Sequence, residues 1–174
     1  ISNYSNGRDN HVTTTIDLTA YAGKKAQIAF VYKNLAGGTN NTWYIYNLKV
    51  AAGEGGGETP GEGTELLTNG GFENWADGYP TGWKSVSTAG NAILEQSTDK
   101  RTGTYSVLVK GDTQNKRLGS AEMTLKAGTY VFSAYFKAAT ADKASARLGY
   151  VPIDDAGVAG NYEYDAEYVN DIAN

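Results

Sequence analysis

Apolar and polar positions alternate along much of the chain. Residues 129–138, TYVFSAYFKA, put Tyr130, Phe132, Ala134 and Phe136 on one side and Val131, Ser133, Tyr135 and Lys137 on the other. A period of two is the mark of a strand with one face turned to a core. Residues 26–33, AQIAFVYK, repeat it, with Ala26, Ile28, Phe30 and Tyr32 opposite Gln27, Ala29, Val31 and Lys33. Further strands are predicted at 12–18, 43–50, 91–96, 104–110, 117–125 and 144–152, with Trp43 and Ile45 facing the core. Between them lie turn-forming stretches: 20–24 with Gly23, 34–42 (NLAGGTNNT), 98–103 (TDKRTG) and 126–128 (KAG). Residues 139–144 suit a loop or a helical turn, and the tail from Gly160 is polar and tyrosine-rich without a clear period. Short strands separated by turns predict an all-β fold, a β-sandwich or jelly roll.

The pattern breaks at 53–65, GEGGGETPGEGTE, which has no large apolar residue. Such a stretch cannot bury surface and is expected to be a flexible linker spanning on the order of 20 Å. It divides the chain into 1–52 and 66–174. Composition adds to the all-β expectation through 13 tyrosines and 22 glycines. The net charge of −4 and the lack of basic clusters make nucleic acid a poor partner. No apolar run approaches the ~20 residues of a membrane span. The absence of cysteine removes disulfides and thiol chemistry. The chain begins at Ile1 and not at Met, and is read as a piece of something longer.

One stretch concentrates the candidate chemistry: Asn69–Trp83, NGGFENWADGYPTGW. With the downstream PTGW, RTGTYSV and LKAGTYVFSAYFKA it resembles carbohydrate-binding modules of the family 4/9 type. The matching positions are Asn69, Phe72, Glu73, Gly82, Trp83, Thr102, Gly103, Ser106, Val107, Gly128, Tyr130 and Ser133. The likeness covers 66–152 and implies a galactose-binding-like β-sandwich, the jelly roll. It speaks more to the fold than to the ligand, because that fold serves sugar binding, protein contact and spacing alike. Residues 12–50 resemble the closing half of a related galactose-binding-like domain of bacterial surface proteins and adhesins. Asp17, Leu18, Tyr21, Gly23, Trp43, Ile45 and Asn47 carry that likeness, while Tyr46 stands where the pattern has Asp. Each half is incomplete against its pattern. The preferred expectation is a cut through two tandem modules. The alternative is one permuted jelly roll, in which 66–174 supplies the early strands and 12–50 the late ones. Contacts between 28–50 and 130–136 would favour the alternative.

Catalysis is not expected. His11 is the sole histidine and has no partner motif. No nucleophile triad, metal-binding histidine pair, P-loop or dinucleotide fingerprint is present. The acid clusters Asp154–Asp155 and Glu163–Asp165–Glu167 fall in loop-like sequence. For sugar binding, a pyranose offers an apolar face to an aromatic ring while its hydroxyls need polar partners. Trp75 and Tyr79, set among Asn74, Asp77 and Gly78, are either such rings or a staple packing their loop. Trp83 is read as core. Tyr135, on the face opposite Phe132 and Phe136, is a third candidate ring, joined by Arg147 from a neighbouring strand as a hydroxyl donor. The bland alternative for both is a polar outer face. The resemblance also implies a structural calcium ion, mapped to Glu73 and the Asp99–Gly103 turn, although 66–174 lacks the closing-strand Asp. The expected partner is a poly- or oligosaccharide, with neighbouring domains of the same chain, on a secreted or cell-surface protein. The competing expectation is a structural or adhesive spacer.

Overall fold

The computed structural model describes residues 4–5, 10–34, 42–53, 65–86, 93–110, 116–138 and 144–164. Their strands are β1 (Tyr4–Ser5), β2 (Asn10–Asp17), β3 (Lys25–Asn34), β4 (Thr42–Gly53), β5 (Trp75–Ala76), β6 (Tyr79–Pro80), β7 (Trp83–Ser85), β8 (Ile93–Ser97), β9 (Ser106–Lys110), β10 (Lys116–Ser120), β11 (Met123–Thr124), β12 (Thr129–Ala138) and β13 (Ala144–Ile153). A 3-10 turn, Thr19–Tyr21, follows β2. The fold is all-β, a sandwich of two antiparallel sheets.

The first sheet runs β1-β2-β12-β4-β9-β8. In the second, β3 lies between β13 on one side and β10 and β11 on the other, and β7 pairs with β10. Alternation places Ile28, Phe30, Leu118 and Leu148 of the second sheet against Ile45, Leu48, Phe132 and Phe136 of the first, all buried. Phe30 and Phe136 meet across the interior, ring centroids 5.4 Å apart. Each such side chain adds about 1.5–3 kcal/mol by leaving water. Ile45 faces the core as predicted; the side chains of His11, Tyr32 and Trp43 lie outside the described residues, as do 54–64 of the expected linker and 139–143.

The strand expected over 117–125 is broken between β10 and β11. Ser120 is the cause. Its hydroxyl accepts from Ile28 N–H (3.1 Å) and donates to the Ala121 carbonyl (2.7 Å), and its own carbonyl accepts from Gln27 Nε2 (2.6 Å). Side-chain bonds there replace the regular ladder.

The two halves of the chain share both sheets. β12 pairs with β2 from Thr129↔Asp17 to Phe136↔Asn10 and with β4 from Thr129↔Gly53 to Ala138↔Trp43, with a bulge between Ala134 and Phe136. β3 is flanked by β10 and β13. Residues 65–70 then run back along β4. Leu66 N–H donates to the Val50 carbonyl (2.8 Å), and the Glu65 carboxylate accepts from Val50 N–H (3.0 Å) and Leu67 N–H (2.8 Å). These are the contacts that the one-jelly-roll alternative requires.

β3 is buried on both faces, since Gln27, Ala29 and Val31 are as enclosed as Ile28 and Phe30. The outer face of the second sheet is covered. After β13 the chain turns at Asp154–Val158, where Asp154 Oδ1 accepts from Ala156 N–H (3.0 Å) and Val158 N–H (2.7 Å). It returns along β13 as a strap through Ala159↔Ile153 and Glu163↔Tyr150. The Tyr164 ring then lies over Gly149, where a Cβ would come within 2.5 Å of it.

Candidate functional site

The site grows out of Asn69–Trp83. Asn69 has a left-handed backbone (φ 56°), and its side chain ties the loop together. Nδ2 donates to the carbonyls of Asn74 (2.8 Å) and Thr81 (3.0 Å), and Oδ1 accepts from Asn74 N–H (3.1 Å). Gly70 abuts β4: its carbonyl accepts from Leu48 N–H (2.9 Å), and a Cβ on it would stand 2.1 Å from the Leu48 carbonyl oxygen. Phe72, also at positive φ (60°), is fully buried and packs on Trp83 with ring centroids 5.1 Å apart. The Trp83 indole N–H is shared between the carbonyls of Thr68 and Asn69 (3.1 Å each). Phe72 and Trp83 are therefore core, Trp83 as read from the sequence.

This anchored loop projects the hairpin β5–β6. Its two-residue turn is Asp77–Gly78, both at positive φ (51° and 80°). That pair is the sequence signature of a type I′ hairpin, whose twist matches its strands. Trp75 is half-buried against the core and donates its indole N–H to the Phe72 carbonyl (2.7 Å), so it staples the hairpin base. Tyr79 is 41 % exposed. A cavity of about 450 Å³ opens on the Tyr79 side, lined among others by Asp77, Thr81, Lys84 and Ser85. A second, of about 400 Å³, lies by Trp75, with Leu94, Glu95 and Gln96. Asp77 borders both. Lys84 is a lining residue that sequence reasoning missed. Its signal was the period of two continuing past the buried Trp83.

Tyr135 and Arg147 are not neighbours, contrary to expectation. β12 is flanked by β2 and β4, whereas β13 pairs with β3 in the other sheet. The two side chains lie on opposite outer faces of the sandwich. The Arg101 guanidinium sits 3.7 Å from the Tyr135 ring centroid. The Arg147 guanidinium sits 3.4 Å from that of Tyr164, and Arg117 lies 4.4 Å from that of Tyr162 while its Nε donates to Tyr164 Oη (3.2 Å). Between these tyrosines, Glu163 is latched by two short bonds, from Tyr21 O–H and Tyr150 O–H (2.6 Å each). Those bonds, that of Tyr150 foremost, hold the Glu163 carboxyl below the usual glutamate range. The tail has no long period, yet Tyr162-Glu163-Tyr164 is itself a short alternation that puts two rings on one side and a carboxylate on the other.

Glu73 and Asp99, the expected ion ligands, are both engaged by hydrogen donors. Both oxygens of Glu73 accept from Thr104 N–H (3.0 and 2.9 Å), and Oε1 also accepts from Tyr105 N–H (3.2 Å). Gly103 (φ 72°) is needed there, since a Cβ would fall 2.1 Å from Glu73 Oε1. Asp99 forms an ion pair with Lys137 and accepts from Tyr46 O–H (3.1 Å). Calcium takes six to eight oxygens whose lone pairs converge on it. Carboxylates turned toward N–H, O–H and ammonium groups do not fit that ion. Among the described residues no three of His, Asp and Glu are grouped to hold a metal. Nor, among them, is any helix long and apolar enough to cross a membrane.

Comparison with curated proteins and with solved structures finds no match. Comparison with protein families matches residues 64–171 to a carbohydrate binding domain, family 4/9. That match contains the whole Asn69–Trp83 loop, the hairpin it projects and the strap, and the chain belongs to this carbohydrate-binding family.

Proposed function

We propose that the protein is a non-catalytic glycan-binding module of a larger, exported bacterial protein, acting at the cell surface, with the β5–β6 hairpin as its sugar-binding element. The observation that carries this is Tyr79, an exposed ring at the rim of a cavity of about 450 Å³ lined by Asp77, Thr81, Lys84 and Ser85. The ring supplies the apolar platform for a pyranose face. The carboxylate, ammonium and hydroxyls supply partners for sugar hydroxyls. On the other side of the hairpin, Trp75, half-buried as the staple, stands with Gln96 and with Glu95, itself paired with Lys110, so an oligosaccharide lying across the tip would meet both sides. Tyr135 and Arg147, each stacked on a partner within the protein, are assigned to holding their surfaces together. Of the acids singled out in the sequence, Asp154 caps its own turn and Glu163 is held by two tyrosines, while Asp165 and Glu167 lie outside the described residues.

A glycan array with wild type and Tyr79→Ala tests the proposal. Tyr79 is exposed, so its loss should leave the fold intact. Wild type is expected to bind, and the variant to bind about tenfold more weakly, the equivalent of ~1.4 kcal/mol. Absence of binding to every glycan would overturn the proposal and favour a spacer that contacts protein.

A further inference from the structure

We infer that the corner where the 99–105 turn meets β4 and β12 is held by a cation of the chain's own, the Lys137 ammonium, and that it is indifferent to calcium. Lys137 reaches across from β12 to one oxygen of Asp99, and the other oxygen accepts from Tyr46 O–H on β4 (3.1 Å). Tyr46 is only 2 % exposed, and the Lys137 side chain 18 %. The ammonium also lies 4.9 Å from the Tyr44 ring centroid, within reach of the negative ring face. The Asp99 carbonyl accepts from Ser106 O–H, and Asn47 Oδ1 accepts from Thr102 O–H (3.1 Å). Glu73 completes the clasp through the Thr104 and Tyr105 amides.

One oxygen after another in this corner thus faces a donor hydrogen. A divalent ion beside Asp99 would have to displace the lysine and Tyr46, or sit against a like charge. Either route draws on the binding energy of an ion that only two carboxylates would hold. The charge balance that such an ion would provide is already supplied by a lysine on an inner strand of the first sheet. The turn that Glu73 shapes therefore needs no metal to close, and the module would stay folded where calcium is scarce or chelated.

Thermal unfolding of the intact chain in saturating calcium and in EDTA tests this. The expected result is the same melting temperature in both. A rise of about 5 °C or more with calcium, as a site occupied far above its dissociation constant produces, abolished by Glu73→Gln or Asp99→Asn, would overturn it. A double-mutant cycle reads the lysine directly. Lys137→Met and Asp99→Asn are each expected to lower the melting temperature, and the double variant to fall little further than the worse single one. Losses that simply add would show that the two groups are not coupled, and would overturn the inference. Should Lys137→Met not fold, Lys137→Gln, which removes the charge but keeps a polar side chain, takes its place in the cycle with the same two outcomes.

Discussion

Gly70 shows how far a single residue's role depends on a distant one. Trp83 is legible from the local motif as a core indole, and Asn69 and Phe72 as positions that the family likeness marks. Gly70 is not, because its constraint comes from β4, some twenty residues upstream. The Leu48 carbonyl oxygen occupies the space where a Cβ would stand, 2.1 Å away, and the Leu48 N–H bonds to the Gly70 carbonyl at 2.9 Å. The obstructing atom is main chain in a buried strand, so it cannot swing aside as a flexible side chain would. Gly70→Ala is therefore expected to destabilise the fold by about 2–3 kcal/mol, in the range of overpacked interior sites. Urea unfolding would show it as a lower midpoint. Gly71 is the control, since a Cβ there meets only Asn47 Nδ2 at 3.7 Å, an ordinary contact, and Gly71→Ala should cost far less.

Among the elements, β12 was read to the residue because four apolar side chains alternate with polar ones over ten positions. β3 carried a second signal. Ala29 and Val31 are apolar on the side opposite Phe30, as suits a strand covered on both faces. The strap that covers it has only the short Tyr162-Glu163-Tyr164 alternation, too brief to register as a strand. Its hold on the sandwich is chemical more than periodic, and so is its response to pH. The hydroxyls of Tyr150 and Tyr21 lower the Glu163 pKa in the folded protein. A depressed carboxyl stabilises the fold above the unfolded value, about 4.3, and that contribution is lost as pH falls through the folded value. Strap amides such as Glu163 N–H, which donates to the Tyr150 carbonyl at 2.8 Å, should therefore lose hydrogen-exchange protection as the medium is acidified below that range. Tyr150→Phe should move the Glu163 titration, followed by NMR, back toward the ordinary glutamate value. An unchanged titration would mean that the latch does not set it.

For the molecule as a whole, alternation tells which side of a strand is buried but not which strand lies beside it. Sequence patterns therefore favour a cut through two tandem modules, each half incomplete. The strand order supports one unit instead. β12, from the second half, sits between β2 and β4 from the first, and β3, from the first, sits between β10 and β13 from the second. Removing 1–53 would strip both neighbours from β12 and leave two long apolar strand edges exposed, a template for aggregation. The two halves should then behave as one cooperative body even when the chain between them is cut. A protease site placed within residues 54–64 and cleaved to completion is expected to yield two pieces that elute together on gel filtration. They should unfold in one transition, at a lower temperature than the uncut chain, because cutting removes the high effective concentration that the connection provides. Residues 66–174 expressed alone should be unfolded or aggregated. Pieces that separate, with 66–174 remaining folded and monomeric, would show instead that the chain holds parts of two independent modules.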